Sequence, residues 1–260
     1  MTGEKKWILE NQGPEGEFYM NGSKAGDVNP YFACMAALGL LAETKNCPIT
    51  ETEKKAVGRY LDWHTGILLE TDGKMGIYRK KSGKLIYKEK ADSEDGYLGM
   101  YLFLMGKYLE KTESTDLPEY WKKGISLALK KIQSLMQDGI TQVSEENTTV
   151  YLMDNLEVWK GLYELEHAGL KDVQAIREMR NKLQAQIEKL FWDDANQRWR
   201  IIENSDLYHQ KDFYPDGVAQ IYPLIYEFPV KEKKKQKILY KQFTERFQWQ
   251  KLNKKRNGFL

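Results

Sequence analysis

Four apolar segments recur along this chain at intervals of about 60 residues, the mark of a repeated supersecondary unit. They are YFACMAALGLLA from Tyr31, DGYLGMYLFLMGKYL from Asp95, NLEVWKGLYEL from Asn155 and GVAQIYPLIYEF from Gly217. Each follows a polar lead-in, ending in turn at Pro30, Asp95, Asp154 and Asp216. The second half of each unit has a different pattern. Residues 118–136 carry Trp121, Ile125, Ala128, Ile132 and Leu135 at helical spacing, a single buried stripe. Residues 171–191 repeat it through Val173, Ile176, Met179, Leu183, Ile187 and Leu190, and 51–64 and 231–247 are shorter versions. The order is therefore buried helix, short turn, surface helix, long connection, four times over.

The long connections contain glycine and aromatic residues in alternation. TDGKMGIYRKKSGKLIYKEK predicts a small β-hairpin, and NQRWRIIENS a second. All of them precede buried helices, so they fall on one face. This predicts an all-α fold, an (α/α) toroid with buried helices inside and amphipathic helices outside, as a single domain over residues 1–260. Its units span approximately 25–65, 91–137, 151–191 and 212–250. A six-hairpin ring at this period takes about 360 residues. An incomplete ring, a ring filled by shorter units and a chain shortened from a six-hairpin ancestor all fit. An open ring would expose inner apolar surface and predicts a homodimer or a partner chain.

Composition removes several functions. Lys and Arg number 40 against 38 Asp and Glu, a net charge of +2, which gives no concentrated basic surface for nucleic acid. No run of 18 uncharged apolar residues exists, so no transmembrane segment is expected. The N-terminus MTGEKKWILENQ has no apolar signal core, which favours the cytoplasm unless a signal has been removed. Cys34 in an apolar helix and Cys47 in a loop read as free structural thiols. His64 and His167 end helices away from the connections, and only His209 is placed near them. No metal or other cofactor is expected.

The lead-ins concentrate carboxylates. Asp92, Glu94, Asp95, Asp154, Asp212 and Asp216 crowd one rim, with Glu145 and Glu146 nearby. Close carboxylates raise the pKa of one of their number, as an acid catalyst requires. Glycosidic hydrolysis needs such a pair, one acid and one carboxylate. Helix capping competes with this. Asp92 can cap with Asp95 at the third helical position, Asp154 can cap with Glu157 reaching back, and Pro215–Asp216 is an ordinary helix start. Tyr97, Tyr151, Trp159, Trp199 and Tyr214 supply flat faces on which sugars stack, with His209 and Asp216 as polar contacts. Trp159, in the second turn of a buried helix, fits the core equally well.

ADSEDGYLGMYLFL (91–104), YLMDNLEVWKGLYEL (151–165) and FYPDGVAQIYPL (213–224) resemble the inner-helix starts of the six-hairpin glycosidase superfamily. That superfamily includes endoglucanase-type and unsaturated-uronyl hydrolases, and the likeness covers roughly residues 25–250. It implies a carbohydrate substrate, no obligatory metal, and acid and base roles for Asp92 or Asp95 with Asp154. Endoglucanase-type members carry a glutamate acid near an early inner helix, where this chain has Asp27. The leading expectation is a glycoside hydrolase, acting on an anionic or amino-substituted glycan, with Arg79, Arg198 and Arg200 available to acidic sugars. A polysaccharide lyase using Tyr208 and His209, and a non-catalytic glycan-binding or scaffold protein, are the alternatives.

Overall fold

The computed structural model describes residues 3–22, 26–81, 84–114, 116–203, 212–230 and 233–248. Among them the chain is mostly helical, with small antiparallel sheets. Helix α1 (Gly3–Glu10) and strand β1 (Asp27–Val28) precede helix α2 (Pro30–Leu41), which packs on α3 (Glu51–Glu70). Asn29 caps α2 by accepting the Tyr31 N–H at 2.9 Å, and Pro30 supplies a preset first turn. Thr50 and Glu53 form a reciprocal capping box on α3, and Glu53 also pairs with the buried Lys5 of α1 at 3.4 Å. His64 is not at a helix end: the apolar period continues through Leu68, so α3 runs on to Glu70 and buries the imidazole at mid-length.

The expected hairpin forms as β2 (Gly76–Lys81) and β3 (Lys84–Lys90), with β1 added at its edge. It leads into α4 (Glu94–Thr112) and α5 (Glu119–Leu135), whose stripe from Trp121 to Leu135 is buried as its spacing predicts. A short ladder, β4 (Met136–Gln137) with β5 (Ile140–Thr141), precedes α6 (Leu152–His167) and α7 (Gln174–Phe191). The second expected hairpin lies earlier than its sequence suggests, as β6 (Trp192–Asp193) with β7 (Arg198–Trp199). Asp193 sets that turn by accepting the Asn196 backbone N–H at 3.1 Å and its side-chain amide at 2.9 Å. An irregular turn, Phe213–Gly217, opens onto α8 (Val218–Ile225), which packs on α9 (Lys233–Phe247).

Helices α2, α4, α6 and α8 contact one another in that order. The most intimate pair is α4 with α6, and glycine makes it so. A Cβ on Gly161 would stand 2.4 Å from the Gly99 carbonyl oxygen, and one on Gly99 would stand 2.6 Å from the Val158 nitrogen. Gly106 is equally blocked by the backbone of Glu164 at 2.6 Å. The backbones therefore touch along two turns, which fixes the relative height of the two helix starts. Alanine at Gly99 or Gly161 is expected to lower stability by about 1–3 kcal/mol, read as a reduced denaturation midpoint. In an exposed helix the same change would be stabilising by about 1 kcal/mol, so an increase at either position would refute the close packing.

At the far ends of these helices the interior is closed by ion pairs. The Lys160 ammonium, almost fully buried, meets Glu164 and Glu227 at 2.8 Å each, and Lys107 meets Glu164 at 3.0 Å. Polar groups at the opposite ends, where α4, α6 and α8 begin, are arranged differently.

Candidate active site

The connections entering α4, α6 and α8 line one cleft of about 530 Å³. Its walls are Asp92 and Ser93 before α4, Asn147 and Tyr151 before α6, and Met153 and Asp154 in the first turn of α6. Ile201, Ile202, Asp212, Tyr214, Pro215 and Asp216 complete it. Tyr214 is 67% exposed and Tyr151 half-buried, so both offer ring surface to an occupant. An adjoining cavity of about 320 Å³ shares Ile201 and Asp216 and is lined further by Gln197, Arg198, Gln220 and Arg246.

The capping readings fail for the decisive residues. The N-cap of α4 is Ser93, whose Oγ accepts the Gly96 N–H at 3.2 Å, which leaves Asp92 exposed on the cleft wall. The N-cap of α6 is Tyr151 and no side chain caps that helix. Asp154 instead sits inside the first turn and lines the cleft, while Glu157 hydrogen-bonds tyrosines of α2 and α8. Asp216 lies within the irregular turn before α8, not in a regular first turn.

Asp95 lies beneath the cleft floor, fully buried. Its Oδ1 accepts from the Ser93 hydroxyl at 2.8 Å and the Gly96 N–H at 3.0 Å, and its Oδ2 from the Thr141 hydroxyl at 2.7 Å. Thr141 is delivered by β5, which Asn155 pins to α6. The Asn155 amide accepts the Thr141 N–H at 2.8 Å and donates to the Thr141 carbonyl at 2.9 Å, imitating a strand pairing. Burial raises the Asp95 pKa to about 6, against the opposing effect of its three donors.

Asp154 is half-buried. Burial pushes its carboxyl well above the usual range, and the negative charges of Asp95 and then Asp92 push the same way. Glu157, one turn further along α6 and 2% exposed, is raised by burial and by the Asp154 charge. Its Oε1 receives the hydroxyls of Tyr31 from α2, Tyr222 from α8 at 3.2 Å and Tyr226 at 3.4 Å. Tyr31 and Tyr222 also meet each other at 3.2 Å, so α2 and α8 come together over this carboxyl.

Other expected site residues are elsewhere. Trp159 and Trp199 are core residues, 2% and 1% exposed. Trp159 stacks on Tyr163 and both rings pack edge-on to Phe228, which corrects their reading as sugar platforms. Tyr97 is buried too, its ring against Tyr31 and its hydroxyl engaged by Asn29. Asp27 is gripped by Arg79 through Nε at 2.6 Å and by Lys88 at 2.8 Å, which hold it well below the usual carboxylate range. It cannot serve as an acid, and Arg79 is spent on it rather than on a ligand. Arg200 approaches Asp193 at 3.9 Å, within its own hairpin turn. Tyr208 and His209 lie outside the described residues.

Glu157 and its three tyrosines were not signalled as a site. One clue was available: Glu157 follows Asp154 by three residues, hence on the same helix face, inside a segment otherwise built for burial.

No family model matches the sequence, and no curated protein matches it. Solved structures do. A wild-type glycosidase superposes with a TM-score of 0.58 at 13% identity, over 78% of this chain and 59% of that one. A glycosidase variant in complex with glucose gives a TM-score of 0.54 at 12% identity over the same shares. A rhamnosidase from Klebsiella oxytoca with rhamnose bound gives 0.60 at 9% identity, over 95% of this chain and 48% of that one. At these identities the likeness is one of fold, a glycoside-hydrolase-like fold, and this chain spans about half to three-fifths of the length of those proteins. Among the described residues no helix is long and apolar enough to cross a membrane.

Proposed function

We propose that the protein is a glycoside hydrolase in which Asp154 is the general acid and Asp92 its carboxylate partner. The four hairpins are read as an arc of an (α/α) toroid, with the glycan lying in the cleft against Tyr151 and Tyr214. The observation that carries this is the placement of Asp154. It faces a cleft of sugar-sized volume, caps no helix, and is pushed toward its protonated form by burial and by the charges of the buried Asp95 and the exposed Asp92.

In the reaction, the Asp154 proton passes to the glycosidic oxygen as the bond to the anomeric carbon breaks. Asp92, exposed on the same wall, either takes a proton from the attacking water or attacks the carbon itself. Asp95 takes no direct part, because it has no exposure to the cleft. Its negative charge raises the Asp154 carboxyl further. Among the described residues lining the cleft are four aspartates and no lysine or arginine. That favours a neutral or amino-substituted sugar at the reacting position over a uronic acid.

The test is a panel of neutral, amino and uronic-acid oligosaccharides, assayed for new reducing ends and for ultraviolet absorbance of an unsaturated product. Reducing ends without that absorbance are expected, and the anomeric configuration of the first product separates the two roles of Asp92. Appearance of the absorbance would replace hydrolysis by elimination. Saturable glycan binding with neither signal would make the protein a binding module.

A further inference from the structure

The cavity of about 320 Å³ beside the cleft takes no part in the reaction described above, and its chemistry differs from that of the cleft. The two share Ile201 and Asp216, so a glycan held in the cleft can extend into it. One wall is α9. A spacing of four places Leu239, Phe243 and Phe247 on one face of that helix, and all three line the cavity. The rings of Phe243 and Phe247 lie 5.3 Å apart, and both meet Phe213 of the irregular turn, at 5.7 and 5.5 Å. A Cβ on Gly217 would stand 2.3 Å from Phe247 Cε2, so only glycine lets this aromatic cluster close against the start of α8. The result is a flat apolar surface of the kind on which a sugar ring stacks.

The polar groups of this cavity are not equally available. Gln220 is committed to the β6–β7 hairpin, accepting the Trp199 N–H and donating to the Trp199 carbonyl at 2.9 Å each. Arg198 and Asp216 have partners of their own. Arg246 differs. It is exposed on the rim, its guanidinium carbon 5.5 Å from the centre of the Phe247 ring, and among the described residues no carboxylate pairs with it. Stacking on a ring holds the planar fork in place and leaves its N–H edge open. Gln242, four residues earlier, lines the same cavity from the same side of α9 and adds an exposed amide. We propose that this cavity is a second sugar subsite that takes an acidic unit, a uronate or a sulfated sugar, with its anionic group in the Arg246 fork. The proposal rests on the reading of the cleft as the catalytic site. It assigns opposite charge preferences to adjoining positions: four aspartates and no described cation at the reacting sugar, and an open guanidinium at its neighbour. The substrate is then a mixed glycan, neutral or amino-substituted where it is cut and acidic beside the cut.

The experiment is a titration of glucose, glucuronate and glucose 6-sulfate, followed by NMR, against the full chain and its Arg246→Gln and Arg246→Lys variants. At least one of the two anions is expected to bind about tenfold more tightly than glucose, with a preference that weakens as salt is raised. The tighter of the two identifies the substituent. In Arg246→Gln the preference should fall to about one. In Arg246→Lys part of it should survive, because the charge stays while the fork is lost. Arg246 is exposed, so both variants should fold as the native protein does. Binding of both anions no tighter than that of glucose, or a preference that persists in Arg246→Gln, would overturn the proposal. No bond is cleaved in these titrations. Acid-selective binding without hydrolysis of any glycan would therefore count against the glycosidase reading alone, and hydrolysis without acid-selective binding against the subsite alone.

Discussion

Asp154→Asn is expected to lose about 10²–10⁴-fold in kcat on an unactivated glycoside, the usual contribution of a positioned general acid. The loss should be much smaller on an aryl glycoside, whose leaving group departs with little need of a proton. That contrast distinguishes lost acid catalysis from a general disturbance of the cleft. The variant should also fold at least as well as the native protein at neutral pH. Asp154 sits among Asp95, Asp92 and Glu157, and an amide there keeps the size and cannot ionise. In the native protein the rate should fall as pH rises through the raised Asp154 pKa, because only the protonated form donates. Equal activity of variant and native protein on both substrates would end the assignment.

The repeat, the amphipathic stripes and the convergence of three lead-ins on one cleft are legible in the sequence because each rests on local periodicity. Trp121 through Leu135 is a buried stripe whatever surrounds it. The three-dimensional roles of single residues are less legible. Trp159 and Trp199 have the composition of sugar platforms, and only the packing of Phe228 against both rings shows that they are interior. Asp27 has the sequence position of an acid, but Arg79, 52 residues away, converts it into a salt-bridge anchor.

The DNLE stretch shows the same limit most sharply. Read locally, Asp154 and Glu157 match a capping box. In the fold, Asp154 faces the cleft, Asn155 pins β5, and Glu157 gathers tyrosines from α2 and α8. The partners of Asn155 and Glu157 lie 14, 65 and 126 residues away. No window of sequence contains them. What the window does contain is the anomaly of acidic residues within a helix built to be buried, and such anomalies are where local rules give way to function.

Asp95→Asn should stabilise the protein, and the gain should grow with pH. A buried carboxyl whose folded pKa is raised binds its proton more tightly in the folded state than in the unfolded one. Its stabilising contribution is complete below the unfolded value, near 3.8, and is lost as pH rises through the folded value, about 6. The shift of Asp95 corresponds to on the order of 3 kcal/mol withheld at neutral pH. Asparagine escapes that loss. Its carbonyl can take the Ser93 and Gly96 donors, and its amide can donate to Thr141 Oγ1, whose own proton turns to Asn155 Oδ1 at 2.8 Å. Denaturant unfolding at pH 4 and pH 7 is the measurement. The two proteins should be nearly equal at pH 4, with the variant ahead by a few kcal/mol at pH 7. Carboxylates with lowered pKa elsewhere, such as Glu53 and Glu166, act oppositely but cancel in the difference. A variant equally destabilised at both values would show that Asp95 is valued for its hydrogen bonds. A pH-dependent gain would show that the fold keeps an ionised group here against its own stability, as a site that must poise the proton of Asp154 would require.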